Sequence, residues 1–500
     1  MKTTRWLAAL LCLAVMAVAR ETALMPLPQP PLLATLTISP DGDHVAYIEQ
    51  TDVGQVVRLD GQPGPAFAHI RAPWMMYDPD IDAESLHVAQ HARHSGIFFS
   101  PDGRHVAYVI GEWTDPEPVL WRKARVAVVL DGTPGPLYDE VTFPQFSDDG
   151  RHLAYTARMG EQWMVVIDGK HSEPFDQLEM RVSRSYPRIP YDFFGPGGRY
   201  AYAGKLNDRW HVVLDGVRRP AYPRVSDLTF SADGLHFAYA VHEIGRGFVV
   251  VDGVRKPVYQ AVDGLTFSPD GKRLGYRAQL PARRQTWVMV VGGVEGKPYP
   301  GVFPPVFSPD GKHVAYRAFE STLREFVVVD GRETSRYQRI SEPSIAFTPD
   351  NRLYFEGNQL DGTKVLIIDG RVYRHAYQPV FSDDGRRLAY VLIDKRYYTL
   401  VLDGTPQPQP ENWWISPQTF TPDGRHLVSI MSNRGWANPG DPQDMRVVVD
   451  DRPGPLYDYL LAGMHTIIGG AQVYLDAPDR FHYFAVRDGT LYRVDEIIAP

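Results

Sequence analysis

The chain has 500 residues, of which 22% are charged, and its formal net charge is −8 at pH 7. It has no basic stripe and no block of like charge, which argues against nucleic acid as a partner. Its single cysteine, Cys12, leaves no pair for a disulfide, and a chain of this length buries a sufficient core without one.

The first residues have the pattern of an export leader. A basic start precedes the apolar run 6–18, and an A-x-A cleavage pattern ends at Ala19. Because the run is shorter than the roughly 20 residues that cross a bilayer, we expect a cleaved signal peptide over residues 1–19. The protein would then be periplasmic or secreted and without a transmembrane segment. Residues 20–31 are interpreted as a Pro-rich tether.

One motif, F-S-P-D-G followed by A-Y, recurs along the rest of the chain. Proline presets φ, and the short Ser and Asp side chains can bond nearby backbone groups, so S-P-D-G predicts a turn. Clear copies lie at 38–42, 99–103, 146–150, 230–234, 267–271, 307–311, 381–385 and 420–424, and weaker copies at 194–198 and 347–351.

A second motif, a β-branched run followed by Asp-Gly, alternates with the first. It occurs at Val128–Gly132, Val249–Gly253 and Val327–Gly331, among other places. Asp-Gly between β-branched runs predicts a tight hairpin, because glycine adopts positive φ without steric cost. Each unit of about 40 residues therefore holds two hairpins in series, a–b and c–d. Four antiparallel strands of that length are one propeller blade.

The F-S-P-D-G-[KR]-x-x-A-Y motif resembles the blade of TolB-like, WD-repeat-like β-propellers. The resemblance covers nearly all of the chain after the tether and implies an all-β fold of about 10–11 four-stranded blades. The chain departs from TolB in having no N-terminal α/β domain. Blades of this type also precede the hydrolase domain of prolyl-oligopeptidase-like enzymes. Since no G-x-S-x-G nucleophile motif is present, the resemblance implies no catalytic residue here.

The blade number leaves the ring architecture open. Ten or eleven blades exceed the four to eight that are usual in one ring. This favours two tandem rings, blades 1–5 over residues 32–262 and blades 6–11 over residues 263–500, with one large ring as the alternative. Residues 466–498 form a degenerate last unit, and pairing with residues 32–38 would close a ring.

Antiparallel strands place the a–b and c–d turns on one face of the disc and the b–c and d–a loops on the other. The long loops belong to the second face: residues 111–124 and 432–444 between strands b and c, and residues 71–95 and 180–191 between d and a. Exposed aromatic residues on such loops are typical of recognition sites. The predicted binding residues are Trp74, Trp113, Trp121, Trp413, Trp414 and Trp436.

The histidines divide into two groups. Those two residues after the turn glycine occupy a repeat position, which indicates a structural role; they are His44, His105, His152, His236, His313 and His426. In the 71–95 insert, a helix would place Glu84, His87, His91 and His94 on one face, where they could hold a divalent metal ion. Solvated loop histidines are the alternative, and no other cofactor is predicted.

The sequence thus favours a binding protein over an enzyme. We expect an extracytoplasmic scaffold that engages a protein or peptide partner in the cell envelope through the b–c/d–a face. The alternative is a carbohydrate-binding or polysaccharide-lyase-like propeller. The resemblance allows it because some TolB-like propellers are polysaccharide lyases, and tryptophans lie beside Glu112, Asp115 and Glu117.

Overall fold

A computed structural model describes most of the chain from residue 18 onward. The residues that it describes form 49 β-strands and one short 3-10 helix, Pro196–Gly198, which confirms the all-β prediction. Within the described residues, no helix has the length and apolar character needed to cross a membrane. The described residues are 18–26, 35–70, 96–112, 125–142, 144–178, 193–281, 286–341, 344–394, 397–407, 413–433, 444–461 and 473–498.

The strands form eleven antiparallel sheets, each of which is one blade. Blade 1 contains β2 Thr37–Ile38, β3 Val45–Thr51, β4 Gly54–Leu59 and β5 Gln62–Phe67, and blade 2 contains β6 His69–Ile70, β7 Ile97–Phe99, β8 Val106–Glu112, β9 Arg125–Leu130 and β10 Thr133–Pro134. Blade 3 contains β11 Glu140–Val141, β12 Gln145–Phe146, β13 Leu153–Met159, β14 Gln162–Ile167 and β15 Lys170–His171. Blade 4 contains β16 Gln177–Leu178, β17 Ala201–Leu206, β18 Arg209–Leu214 and β19 Val217–Arg218.

Blade 5 contains β20 Arg224–Phe230, β21 Phe237–Glu243, β22 Arg246–Val251 and β23 Val254–Tyr259, and blade 6 contains β24 Ala261–Phe267, β25 Leu274–Gln279, β26 Trp287–Val291 and β27 Val294–Glu295. Blade 7 contains β28 Gly301–Val302, β29 Val306–Phe307, β30 Val314–Ser321, β31 Arg324–Val329 and β32 Arg332–Glu333. Blade 8 contains β33 Arg339–Ile340, β34 Ala346–Phe347, β35 Leu353–Asn358, β36 Lys364–Ile368 and β37 Arg371–Arg374.

Blade 9 contains β38 Ala376–Phe381, β39 Leu388–Asp394, β40 Tyr397–Leu402 and β41 Thr405–Pro406. Blade 10 contains β42 Trp414–Phe420, β43 Leu427–Ser432, β44 Met445–Val449 and β45 Arg452–Pro453. Blade 11 contains β46 Tyr459–Leu460, β47 Val473–Ala477, β48 Arg480–Arg487, β49 Thr490–Ile497 and β1 Val18–Pro26.

The two predicted turns join the strands of a blade. In blade 2, Ser100 Oγ donates to Asp102 at 2.6 Å and accepts from the backbone N–H of His105 at 2.9 Å, which closes the a–b turn. In the c–d turn, Asp131 has φ 49° and Gly132 has φ 77°. Positive φ at both central positions is the type I′ geometry that matches the twist of a hairpin.

The a strands lie at the inner edge of the ring and the d strands at its outer edge. The a strands of blades 5 and 6, β20 and β24, contact each other. The d strand of blade 1, β5, is exposed along nearly its whole length. Sheets that converge at one edge and separate at the other are arranged radially, as the blades of a propeller are.

Eleven hydrophobic clusters hold the ring together, and each is shared by two consecutive blades. Val249 of blade 5 packs in one cluster with Tyr276 of blade 6, and Phe484 of blade 11 packs with Ile38 of blade 1. The packing is therefore continuous and returns to its start. The prediction of two rings is wrong: the protein is one ring of eleven blades, and residue 263 lies within β24. Every interface uses similar apolar residues, so none is marked as a boundary.

The two ends of the chain together build blade 11. Strand β1 pairs antiparallel with β49 and serves as strand d of that blade. The carboxylate of Glu21 accepts hydrogen bonds from the Tyr457 hydroxyl at 2.8 Å and from the Arg487 guanidinium at 3.0 Å. Side chains as well as backbone bonds therefore fix the closing strand.

Closure by a terminal strand was predicted, but with another partner. The closing strand is 18–26 and not 32–38, which instead reaches into strand a of blade 1 through β2. Residues 20–26 of the predicted tether thus belong to the ring. Residues 1–17 of the predicted signal peptide lie outside the described residues.

Three long segments outside the described residues are flanked by pieces of strand a. In blade 2, β6 and β7 both pair with β8, and residues 71–95 connect them. Residues 179–192 follow β16, which already pairs with β17, and residues 462–472 separate β46 from β47. The first two segments were expected between strands d and a. They start inside strand a because two residues of that strand have already paired with strand b.

Candidate functional site

Two of the predicted binding residues, Trp413 and Trp414, lie in the described part of the chain. The remaining predicted site residues lie outside it: Trp74, Trp113, Trp121 and Trp436, and the possible metal ligands Glu84, His87, His91 and His94.

The histidines of the repeat position bind the Asp-Gly turn of their own blade. In blade 2, His105 Nδ1 and Asp131 Oδ2 are 2.7 Å apart, and Asp131 Oδ1 accepts from the backbone N–H of Val106 at 2.9 Å. This pair joins the a–b turn to the c–d turn, which confirms the structural role. The same pair occurs as His44–Asp60, His152–Asp168, His236–Asp252, His313–Asp330 and His426–Asp450.

The aspartates of the S-P-D-G turns are likewise held by their own turns. Asp310 accepts from Ser308 Oγ at 2.6 Å and from the backbone N–H of Lys312 at 3.0 Å. These hydrogen bonds lower the pKa of Asp310 to about 2. We call the face that carries both kinds of turn the turn face. The histidines and aspartates at its repeat positions thus have structural roles.

The opposite face, the loop face, has an aromatic cluster at the junction of blades 9 and 10. We call it the Trp414 platform; it consists of Tyr377, Tyr398, Trp413, Trp414 and Arg446. The rings of Trp414 and Tyr398 are stacked, with centroids 4.0 Å apart at an angle of 28°. Tyr377 meets Tyr398 edge-on at 6.3 Å, and the Arg446 guanidinium lies 4.7 Å from the Trp413 ring centroid. Trp414 keeps 37% of its surface exposed.

Strand register brings these side chains to the loop face. Trp414 begins β42 and pairs with Ser432 at the end of β43. Tyr398, near the start of β40, pairs with Ile393 near the end of β39. The aromatic side chains of Trp414 and Tyr398 therefore lie at the b–c end of their blades. In blade 10 this is the end at which residues 434–443 connect β43 to β44.

Two buried polar atoms at this end of blade 10 have no hydrogen-bond partner among the described residues. They are Nε of Arg446 and Oδ1 of Asn433. The other end of the Asn433 amide, Nδ2, donates to Asp444. An unpaired buried donor or acceptor costs about 1–3 kcal/mol. The site thus has one donor and one acceptor to offer to a water molecule, a loop or a ligand.

The platform combines four uncharged aromatic side chains with one cation, Arg446. Burial and the neighbouring Tyr398 raise the pKa of Tyr377 above its usual value, so its hydroxyl stays protonated at neutral pH. The Arg446 guanidinium supplies a positive charge and a planar face that stacks on indole. Aromatic side chains, the Arg446 cation and the Asn433 amide are the kinds of group with which proteins recognise ligands.

The sequence identified the two tryptophans but missed Tyr377, Tyr398 and Arg446. Tyr397-Tyr398 at the start of a c strand was a signal, since an aromatic pair at a blade's b–c end lies beside the next blade. The contact itself depends on how β40 of blade 9 and β42 of blade 10 are placed across their interface, and spacing along the chain does not give that.

No family model and no curated protein matches the chain. Among solved structures, it is similar to TolB from Acinetobacter baumannii, with 13% identity and a TM-score of 0.24 over 59% of this chain and 80% of that one. It is also similar to the dihydro-heme d1 dehydrogenase NirN, with 14% identity and a TM-score of 0.31 over 71% of this chain and 76% of that one. The hydrazine synthase of Kuenenia stuttgartiensis has 14% identity and a TM-score of 0.25 over 54% and 98%. Likenesses at this level carry no argument about activity, and the propeller assignment rests on the sheets described above.

Proposed function

We propose that the protein is an extracytoplasmic binding protein that engages a protein or peptide partner through the loop face of its ring. The Trp414 platform is the observation that carries this proposal, because Trp414 is exposed and stacked on Tyr398, and the adjacent Trp413 contacts the Arg446 cation. Tryptophan, tyrosine and arginine are the residues that most often dominate binding energy at protein interfaces. The extracytoplasmic location rests on the leader pattern of residues 1–19.

A peptide suits the polar atoms of the site as well as its rings. Arg446 Nε is an unpaired donor and Asn433 Oδ1 an unpaired acceptor among the described residues, and a peptide group offers the complementary pair. Trp414 and Tyr398 add a large contact area with few rotatable bonds, so little conformational entropy is lost on binding.

The ring is a rigid support for such a surface. Each blade shares a hydrophobic cluster with both neighbours, as blade 10 does through Ala389 of blade 9 and Tyr483 of blade 11. Segments of different length on a rigid scaffold are the usual place of binding residues. The loop face has that character, whereas the turn face repeats from blade to blade.

The test begins with a crosslinking pull-down from the native envelope fraction, using the tagged mature protein and mass spectrometry. The partner is then purified and titrated against the wild type, Trp414→Ala and the control Leu235→Ala. Leu235 is 73% exposed in the a–b turn of blade 5, on the turn face. We expect Leu235→Ala to bind as the wild type does and Trp414→Ala to bind at least about tenfold more weakly, or about 1.4 kcal/mol.

Two outcomes would contradict the proposal. Equal affinity of Trp414→Ala and the wild type, with both variants folded by circular dichroism, would move the partner away from the platform. A glycan array signal that Trp414→Ala abolishes, with no protein recovered in the pull-down, would replace the protein partner by a carbohydrate.

A further inference from the structure

A second side-chain cluster lies where blade 11 meets blade 1, on the turn face. Asp476, His482 and Asp495 offer ligand atoms that all lie within 4.8 Å of one another. They come from strands β47, β48 and β49, and His482 is paired across the sheet with Asp495. The His482 side chain is 1% exposed, whereas those of Asp476 and Asp495 are 32% and 33% exposed.

The surroundings of His482 fix the position of one ring hydrogen. Nε2 lies 3.1 Å from the carbonyl oxygen of Gly42 in blade 1. A carbonyl only accepts, so Nε2 carries the hydrogen and donates it. Nδ1 lies 2.9 Å and 3.0 Å from the two carboxylate oxygens of Asp476. The space between Nδ1 and this carboxylate therefore holds a positive charge: either a proton on Nδ1 or a metal ion that both groups bind, and the metal titration below distinguishes the two.

The charges around the cluster also call for a cation. Arg493 donates to Asp495 at 3.1 Å and to Asp43 of blade 1 at 2.9 Å, and Asp476 belongs to the same cluster as Asp495. One guanidinium balances one of these three carboxylates and leaves two negative charges. The nearby carboxylate of Asp41 is held within its own turn by Ser39. The excess matches the charge of a divalent ion.

We propose that Asp476, His482 and Asp495 bind a divalent transition-metal ion of the zinc or manganese kind. One imidazole nitrogen with carboxylate oxygens suits such ions. Donation from the second ring nitrogen to a backbone carbonyl is the usual support of a metal-bound histidine. Bonds of about 2.0–2.2 Å keep ligand atoms within about 4.4 Å of each other. Since the ligand atoms lie within 4.8 Å of one another, an inward shift of at most about half an ångström brings them to bonding positions, and the two partly exposed carboxylates can make it.

The ion would stabilise the ring at the blade that both chain ends build. It would connect strands a, b and c of blade 11, and His482 connects that sheet to Gly42 of blade 1. In the blades that carry the repeat histidine, a His–Asp pair joins the two turns, as His426 and Asp450 do in blade 10. Blade 11 has no c–d turn, because its d strand comes from the other end of the chain. This inference is independent of the proposed binding function.

The experiment uses the full mature protein, stripped with a chelator and dialysed. Calorimetric titration with ZnCl2 and with MnCl2 is combined with elemental analysis of the bound metal and with thermal unfolding. Asp476→Asn and Asp495→Asn each replace one carboxylate ligand by a neutral amide, which is a much weaker ligand for a divalent ion, on the partly exposed side of the site. Asp450→Asn is the matched control, because it alters a His–Asp pair to which the described part of the chain adds no third ligand. His87→Ala/His91→Ala reports separately on the predicted ligands in the 71–95 insert.

We expect the wild type, Asp450→Asn and His87→Ala/His91→Ala to bind an ion that Asp476→Asn and Asp495→Asn bind at least about tenfold more weakly. Zinc or manganese should raise the unfolding temperature of the first group only. CaCl2 should not, since calcium takes oxygen ligands and not imidazole. The proposal is overturned if the wild type binds neither zinc nor manganese, or if both Asp→Asn variants bind as the wild type does.

Discussion

On the turn face of the ring, a histidine and an aspartate such as His236 and Asp252 make the same contact in blade after blade. On the loop face, Trp414 stacks on Tyr398 at a single interface, and Asn433 and Arg446 keep unpaired atoms among the described residues. In a repeat protein, the side chains that recur are those that hold each unit and its neighbours together. Side chains that depart from the repeat are free to serve recognition, and the following variants test this division.

The largest effect is expected where a turn glycine touches the next blade. Gly385 has φ +70°, and a Cβ there would lie 2.4 Å from the Asp350 carboxylate of blade 8. Gly385→Ala should lower the free energy of unfolding by about 3 kcal/mol, through backbone strain and the clash. The measurement is urea denaturation. In the control Gly404→Ala of the same blade, φ is +81° but the new Cβ meets nothing within 4 Å, so only strain remains. Equal losses would mean that the contact between blades 8 and 9 contributes nothing.

The next largest effect concerns the aspartate of a c–d turn. Asp252 accepts from the backbone N–H of Phe237 at 2.9 Å and from His236 at 2.8 Å. Asp252→Ala leaves the Phe237 donor without this partner and should cost about 2 kcal/mol in chemical denaturation. Asp252→Asn keeps an acceptor and tolerates the positive φ of 50°, so it should lose less. If Asp252→Ala folds but no longer binds the partner, the turn face takes part in recognition, which contradicts a purely structural role for its repeat residues.

Acidification should remove a third contribution to stability. Glu333 accepts from Lys297 at 2.6 Å, from Arg336 at 2.8 Å and from the Tyr299 hydroxyl at 2.8 Å. The bond from Lys297, followed by those from Arg336 and Tyr299, lowers the pKa of Glu333 from 4.5 to about 2. The stabilisation is therefore complete above pH 4.5 and is lost as the pH falls towards 2. Glu333→Gln should be less stable than the wild type at pH 7, and the difference should vanish over that window. A constant difference down to pH 2 would contradict this cause of the shift.

The smallest effect is expected for a repeat histidine. His426 Nδ1 and Asp450 Oδ2 are 2.8 Å apart, with side chains 25% and 33% exposed. Ion pairs and hydrogen bonds at such exposure contribute about 0–1 kcal/mol. His426→Ala should therefore unfold within about 1 kcal/mol of the wild type and bind the partner unchanged. If Trp414→Ala still binds the partner and His426→Ala does not, the partner binds to the turn face and not to the loop face.

The blade could be predicted from the sequence because its turns depend on local chemistry. Ser100-Pro-Asp-Gly103 and Asp131-Gly132 each determine a turn within a few residues. The number of rings could not, since the packing of Val249 against Tyr276 is like that at the other interfaces. The closing strand was missed because residues 18–26 carry no blade motif and overlap the predicted signal peptide and tether.

The candidate sites were predictable to a smaller extent. Trp414 stood out by residue type, but its contact with Tyr398 joins two blades and depends on their register. His482 offered a weaker signal: it lies in a degenerate unit and outside the repeat position. Its neighbours Asp476 and Asp495 come from two other strands of that unit, and only the sheet brings the three together.

The composite blade 11 also dictates the order in which the molecule can fold. Val18 pairs with Ile497, so a chain that emerges amino end first makes its first strand long before that strand's partner exists. Closing so long a loop adds only a logarithmic entropy cost, yet it cannot happen until β49 has been synthesised. Until then the edge of β1 and the unpacked side of blade 1 at Ile38 are exposed to other chains. Ring closure is thus the late, aggregation-sensitive step of folding, and truncation at either end stops it at the same point.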